Sequence, residues 1–180
     1  MAEEKGIISD DIKGLDEDIA DVTLTLVSKD GQRFEVERSV LMQSDLIKKL
    51  TETDKEATEF PLLHVNGAIV EKVVKYMRYH HNNPAKDIEK PLKSSNMREV
   101  ADDPWDAEFV DVPQNVLFDM ILAANYMVVR PMLDLTCAKI ATMLKGKSPE
   151  EIRKLFNIVN DFTPEEEEAV RAENKWADES

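Results

Sequence analysis

The stretch Lys145–Trp176, KGKSPEEIRKLFNIVNDFTPEEEEAVRAENKW, decides how this 180-residue chain is read. It holds two helix starts of the same chemical type, Ser148-Pro149-Glu150-Glu151 and Thr163-Pro164-Glu165-Glu166. In each, a hydroxyl can accept a backbone N–H, and proline fills the first helical position, where no N–H is needed. A glutamate three residues after the cap can close a capping box. Ile152, Leu155, Phe156, Ile158, Phe162 and Trp176 sit in or beside these helices, and residues 161–180 carry eight acids against two bases. Two short helices cannot enclose that much apolar surface between themselves. They must lie on the preceding domain, on another protein, or partly on both. Residues 146–180 therefore read as a helical extension.

Working upstream, Leu133, Cys137, Ile140 and Leu144 mark a helix that Gly146 can end with a left-handed cap. From Gln114, Leu117, Met120, Ile121 and Ala124 share one face of another helix, and Pro131 either ends it or opens the next. Ile69, Val70, Val73, Val74 and Met77 recur at helical spacing behind Asn66, which can cap them. Shorter helices are expected around Val40-Leu41 and Ile47–Leu50, and Leu62, Leu63 and Val65 read as a short strand. Residues 22–27 alternate apolar with Thr at period two, Asp30-Gly31 supplies a tight turn, and Gln32–Val36 continues the alternation, which is a hairpin. Residues 1–20 read as a mobile acidic extension. Residues 82–106, with three prolines and Ser94-Ser95, read as a long exposed loop inside a domain spanning 21–145. The fold class is α/β, mostly helical, with a small N-terminal sheet.

Composition removes several functional classes. With 42% hydrophobic and 33% charged residues the chain has the balance of a globular protein, not a disordered one. A net charge of −14 argues against nucleic acid, since phosphate binding depends on basic side chains. It argues equally against anionic lipid surfaces, and no apolar run approaches membrane-spanning length. The opening MAEEKGIISDDIKG lacks the layout of a signal peptide or a mitochondrial presequence. One cysteine, Cys137, allows no intramolecular disulfide and fits a reducing compartment, so cytoplasm and nucleus are the expected locations.

No catalytic or metal constellation emerges. His80 and His81 point about 100° apart on a helix, no Cys or His partner stands at zinc spacing, and both are expected as exposed helix-end histidines. His64 has no partner in the pattern either. Cys137 lies on the apolar stripe with Leu133 and Ile140, where packing is its expected role. Glu165–Glu168 reads as a solvated run that opposes the helix dipole, and five glycines form no phosphate-cradling loop. The chain is expected to need no cofactor and to catalyse no reaction. Phe156 and Trp176 can either complete the chain's own core or face a partner; full burial of one such ring contributes roughly 2–3 kcal/mol in either role.

The strings Ala123-Ala124-Asn125-Tyr126, Leu133 to Cys137 and Gly146 to Asp161 closely resemble the S-phase kinase-associated protein 1 family, the adaptor subunit of SCF ubiquitin ligases. The likeness extends through Asp30-Gly31, Gln43-Ser44 followed by Ile47, Pro61-Leu62 and Pro104-Trp105-Asp106, and covers roughly residues 21–180. It implies a BTB/POZ-like domain that docks on a cullin and a C-terminal extension that binds the F-box motif of substrate receptors. Asn125 and Tyr126 match the family pair at the cullin surface. Leu133, Cys137 and Ile140 fall on the stripe that lines the F-box groove, joined by Ile152, Phe156, Ile158 and the terminal aromatic Trp176. Pro164 matches a proline that is hydroxylated and then glycosylated in some unicellular relatives. Val128 departs from the pattern, standing where the family usually has a polar residue, and residues 82–103 match poorly. Elongin C shares the BTB-like part but lacks the C-terminal helices. Exposed apolar patches also leave a second reading open, BTB-like self-association or a structural assembly outside ubiquitination, and a homodimer of the free chain stays open under either reading.

Overall fold

Period-two alternation builds the sheet on which the first helices rest. The computed structural model describes residues 22–174, so the expected extension at 1–20 and Trp176 lie outside the described residues. Strand β1 (Thr23–Ser28) pairs antiparallel with β2 (Arg33–Glu37) and parallel with β3 (Glu59–Leu62), giving the order β2-β1-β3. Leu26 stands opposite both Phe34 and Phe60. The side chains of Leu24, Leu26, Val36, Phe60 and Leu62 are buried on one face, while Arg33, Glu35, Glu37 and Glu59 take the other into solvent. Leu26 is fully buried, worth about 1.5–3 kcal/mol of transfer free energy. The third strand starts before its expected position and stops at Leu62; Leu63 is exposed.

The hairpin turn also caps a distant helix. Gly31 takes a left-handed φ of 81°, which costs glycine nothing. The Asp30 carboxylate accepts the Ser28 hydroxyl at 2.6 Å, the Gln32 amide at 2.8 Å and the Gly67 N–H at 2.8 Å. Those donors, Ser28 first and Gly67 next, hold its pKa down to about 2. Asn66 stands at the N-cap of the long helix that starts at Gly67, but its side chain makes no capping bond. Asp30 satisfies the first N–H instead, from 37 residues away.

Helices α1 (Arg38–Leu41) and α2 (Asp45–Thr53) lead to that long helix, α3 (Gly67–Asn82), which buries Ile69, Val70, Val73, Val74 and Met77 as their spacing predicts. Residues 82–106 are not a uniformly exposed loop. They contain α4 (Met97–Val100) and the start of α5 (Pro104–Phe109), bury Met97 and Ala101, and lay Ile88, Leu92 and Trp105 against the core. These anchors have no period, so the polar and proline-rich composition hid them.

The same segment corrects the expectation for His80. It is buried, not exposed: its Nδ1 lies 2.7 Å from Asn83 O and its Nε2 2.9 Å from the Asp106 carboxylate. Tyr79 stacks flat on Trp105 with centroids 3.9 Å apart and donates its hydroxyl to Asp103 at 2.8 Å. Burial pushes the Asp106 carboxyl above its ordinary range, opposed by the bond to His80.

Helix α6 (Gln114–Met127) packs on α3 and buries Leu117, Met120, Ala123, Ala124 and Met127. Helix α7 (Arg130–Leu144) comes next, with Pro131 in its first turn, and Gly146 ends it at a left-handed φ of 73°. Then come α8 (Pro149–Phe156) and α9 (Pro164–Glu173). The chain divides into two units, one ending at Met143 and the other starting at Leu144.

Candidate partner-binding surfaces

Helix α6 is apolar nearly all round. Its inner face is sealed, so Phe118 and Leu122 are left facing outward, 41% and 65% exposed. Asn125 is exposed on the same helix, and half-buried Tyr126 sets its ring edge-on to His64, centroids 5.3 Å apart. A recess of about 260 Å³ is lined by His64, Asn66, Ile69, Leu122 and Tyr126 among others. The structure thus places the sequence-derived pair Asn125 and Tyr126 beside an apolar surface that the sequence reading missed. The signal was present: from Leu117 to Leu122 only Asp119 is polar, more apolar surface than one buried face can use.

On α7 the buried face is Met132, Leu135, Thr136, Ala138 and Thr142. Leu133 and Ile140 are half-buried and Cys137 is exposed. The expected stripe is therefore the shoulder of the helix and not its core seam, and Cys137 does not pack inside its own domain. The spacing of Leu133, Cys137 and Ile140 suggested that stripe, whereas the helix buries Met132 and Leu135 together with two threonines and an alanine. Thr136 can be buried because its hydroxyl donates to Met132 O at 2.8 Å. The Cys137 thiol is partly shielded, and that desolvation, with the Asp134 carboxylate adding, holds it above its ordinary value. A raised thiol is a poor nucleophile at neutral pH.

In the second unit both helix starts form as read. Ser148 Oγ accepts Glu151 N–H at 3.3 Å while Glu151 accepts Ser148 N–H at 2.8 Å; Thr163 and Glu166 repeat this at 3.3 and 2.9 Å. Helix α8 ends at Asn157, left-handed at φ 53°, where Ile158 N–H bonds Arg153 O at 2.8 Å. That cap turns the chain so that Ile158, Val159 and Phe162 face solvent, Val159 at 81% exposure. No residue of α8 or α9 is buried, and Ile152, Leu155 and Phe156 are only half-covered.

What ties α8 to α9 is charge. Arg171 bonds Glu150 at 2.9 Å and faces Glu167 at 3.6 Å; Arg153 faces Glu167 at 3.5 Å and lies 5.8 Å from the Phe162 ring centre. Glu150 is held below its ordinary range by its own N–H and the Ser148 side chain, with Arg171 adding. Solvent screens exposed pairs of this kind, so each contributes little. Among the described residues no group of three or more His, Cys, Asp and Glu side chains converges, and no helix is long and apolar enough to cross a membrane.

A small three-stranded sheet under helices, followed by a capped helical extension, defines a POZ-like domain with a C-terminal helical arm. Residues 22–82 match the Skp1 family tetramerisation domain and residues 130–177 the Skp1 family dimerisation domain. SKP1-like protein 11 of Arabidopsis thaliana is 47% identical, covering 86% of this chain and 95% of its own. The S-phase kinase-associated protein 1 homolog of Tetrahymena thermophila is 46% identical, covering 86% of this chain and 93% of its own. The E3 ubiquitin ligase complex SCF subunit sconC of Aspergillus flavus is 45% identical, covering 89% of this chain and 99% of its own. The chain belongs to the Skp1 family.

Proposed function

We propose that this chain is the adaptor of an SCF-type ubiquitin ligase, bridging a cullin scaffold to interchangeable F-box substrate receptors. Relatives that match most of this chain are named as SCF complex subunits. The observation that carries the reading is the pairing of two outward-facing apolar surfaces, one on α6 of the first unit and one on the second unit, whose helices bury none of their own residues. On this reading Asn125 and Tyr126, with Phe118 and Leu122 beside them, meet the cullin. Leu133, Cys137 and Ile140 of α7, and Ile152, Phe156, Ile158 and Trp176 of the arm, meet the F-box, in the manner of an amphipathic helix completing an unfinished apolar face.

The contribution is positional and non-catalytic: the adaptor raises the concentration of bound substrate near the ubiquitin-charged enzyme. Cytoplasm and nucleus are the proposed locations, and an acidic surface with one cysteine supports them. No observation favours self-association outside ubiquitination over this reading. Pro164, exposed at the first position of α9, is accessible to a hydroxylating enzyme; an intact native mass without an oxygen or sugar increment removes that role.

Replacing Phe156 and Trp176 together with alanine is expected to abolish capture of an F-box protein while leaving cullin binding intact. Undiminished F-box capture overturns the assignment of the receptor surface.

A further inference from the structure

The corner between α6 and α7 adopts a conformation that its sequence does not favour. Val128, a β-branched residue, sits in the left-handed region at φ 54°, where crowding at Cβ disfavours anything but glycine or asparagine. Its N–H bonds Asn125 O at 3.2 Å, and Val129 N–H reaches back to Ala124 O at 2.9 Å, the bonding that closes a helix on a left-handed residue. A valine holds such a geometry only when its surroundings impose it.

The start of α2 imposes it. Ser44, fully buried, donates its hydroxyl to Met127 O at 2.5 Å and accepts Ile47 N–H at 3.3 Å. Asp45 N–H donates to Val128 O at 3.3 Å, and the Asp45 carboxylate faces Arg130 at 3.6 Å. Two consecutive carbonyls of the corner are thus gripped by a segment 83 residues earlier in the chain. The corner's own N–H groups hold the carbonyls of Ala124 and Asn125, so letting the corner relax frays the last turn of α6. That turn carries Asn125 and Tyr126.

We propose that Ser44, helped by the Asp45 N–H, is a positioning residue for cullin binding: it clamps the strained α6–α7 corner and so fixes the direction in which Asn125 and Tyr126 are presented. This role rests on the adaptor reading above.

The test is calorimetric titration of the full chain with the N-terminal fragment of a cullin and, separately, with an F-box segment. Ser44→Ala is expected to weaken the cullin fragment about tenfold, the loss of one buried hydrogen bond, and to leave F-box affinity within about twofold. Adding Val128→Gly to Ser44→Ala is expected to restore cullin affinity to within about threefold of wild type, because glycine occupies the left-handed region without a clamp. Equal cullin affinity in Ser44→Ala, equal loss toward both partners, or no restoration by glycine each overturns the positioning role. If Ser44→Ala does not fold, Asp45→Pro removes the N–H end of the clamp at a first helical position that accepts proline, and it is compared with Asp45→Ala, which loses only the carboxylate that faces Arg130. Asp45→Pro is expected to bind the cullin fragment about threefold more weakly than Asp45→Ala, and equal affinity of the two overturns the role. A wild-type chain that binds no cullin fragment sinks the adaptor reading together with this role; a wild type that binds beside an equally tight Ser44→Ala sinks this role alone.

Discussion

The two units of the chain use the same vocabulary of caps and amphipathic helices to opposite ends. In the first, α3 alone buries eight residues, and Val70, Val73 and Met77 are sealed completely. In the second, α8 and α9 bury none, although their starts carry capping boxes that match the expected pattern bond for bond. Local capping is thus complete on α8 and α9 and absent from the Asn66 side chain at the start of α3, while burial runs the opposite way. Capping stabilises a helix by about 0.5–2 kcal/mol; apolar burial in a packed core contributes many times that. A segment with caps and no burial is shaped in advance and left open to a partner.

The contrast should be largest in thermodynamic stability. Leu26→Ala empties a site in the central strand that is 0% exposed and is expected to cost about 3 kcal/mol. Val159→Ala, at 81% exposure, is expected to change stability by less than about 0.5 kcal/mol. Urea unfolding of both variants measures the difference. A comparable loss in the two would mean that the arm is packed as the core is.

Acid sharpens the comparison through the Asp30 carboxylate, which joins the hairpin to α3 within the first unit. Asp30 lies at about 2, below its ordinary 3.8, so the stability it confers is complete above the ordinary value and is lost as pH falls from there towards 2. Asp103 is lowered in the same sense, first by the Trp105 N–H. Asp106, raised by burial, runs the other way, since acid relieves its desolvation. Urea midpoints at about pH 5 and about pH 2.5 are expected to drop less in Asp30→Asn than in wild type. An equal drop would show that the Asp30 bonds to Ser28 and Gly67 carry no linkage.

Where the sequence was informative, the deciding interactions were local. The hairpin at Asp30-Gly31, the α3 stripe and the caps at Ser148 and Thr163 all depend on residues within a few positions of one another. Where it failed, the partner was distant. His80 was expected at the surface because Asp106, which satisfies it inside, lies 26 residues away. Asn66 was expected to cap α3, and Asp30 does so from 37 residues away. Cys137 was placed on a packing stripe because the buried face of its helix, shared by Met132 and Leu135, is completed by Thr136 and Thr142, which look polar until their hydroxyls are paired with carbonyls of their own helix. Of the candidate surfaces, the two capped helices of the arm and their excess of apolar side chains were legible in the sequence. The outward face of α6 was not, because Phe118 and Leu122 fall off the periodic stripe of Leu117, Met120 and Ala124 by which the helix was recognised.

The adaptor role rests on the arm's apolar side chains awaiting a wall supplied by another polypeptide. Amide hydrogen exchange across residues 148–174, in the free chain and with a bound F-box segment, tests this most directly. Fast exchange in the free arm, most of all from Asn160 onward, that slows by at least about tenfold on binding while α3 stays protected in both states is the result expected. Equal protection of the arm with and without the partner would contradict it.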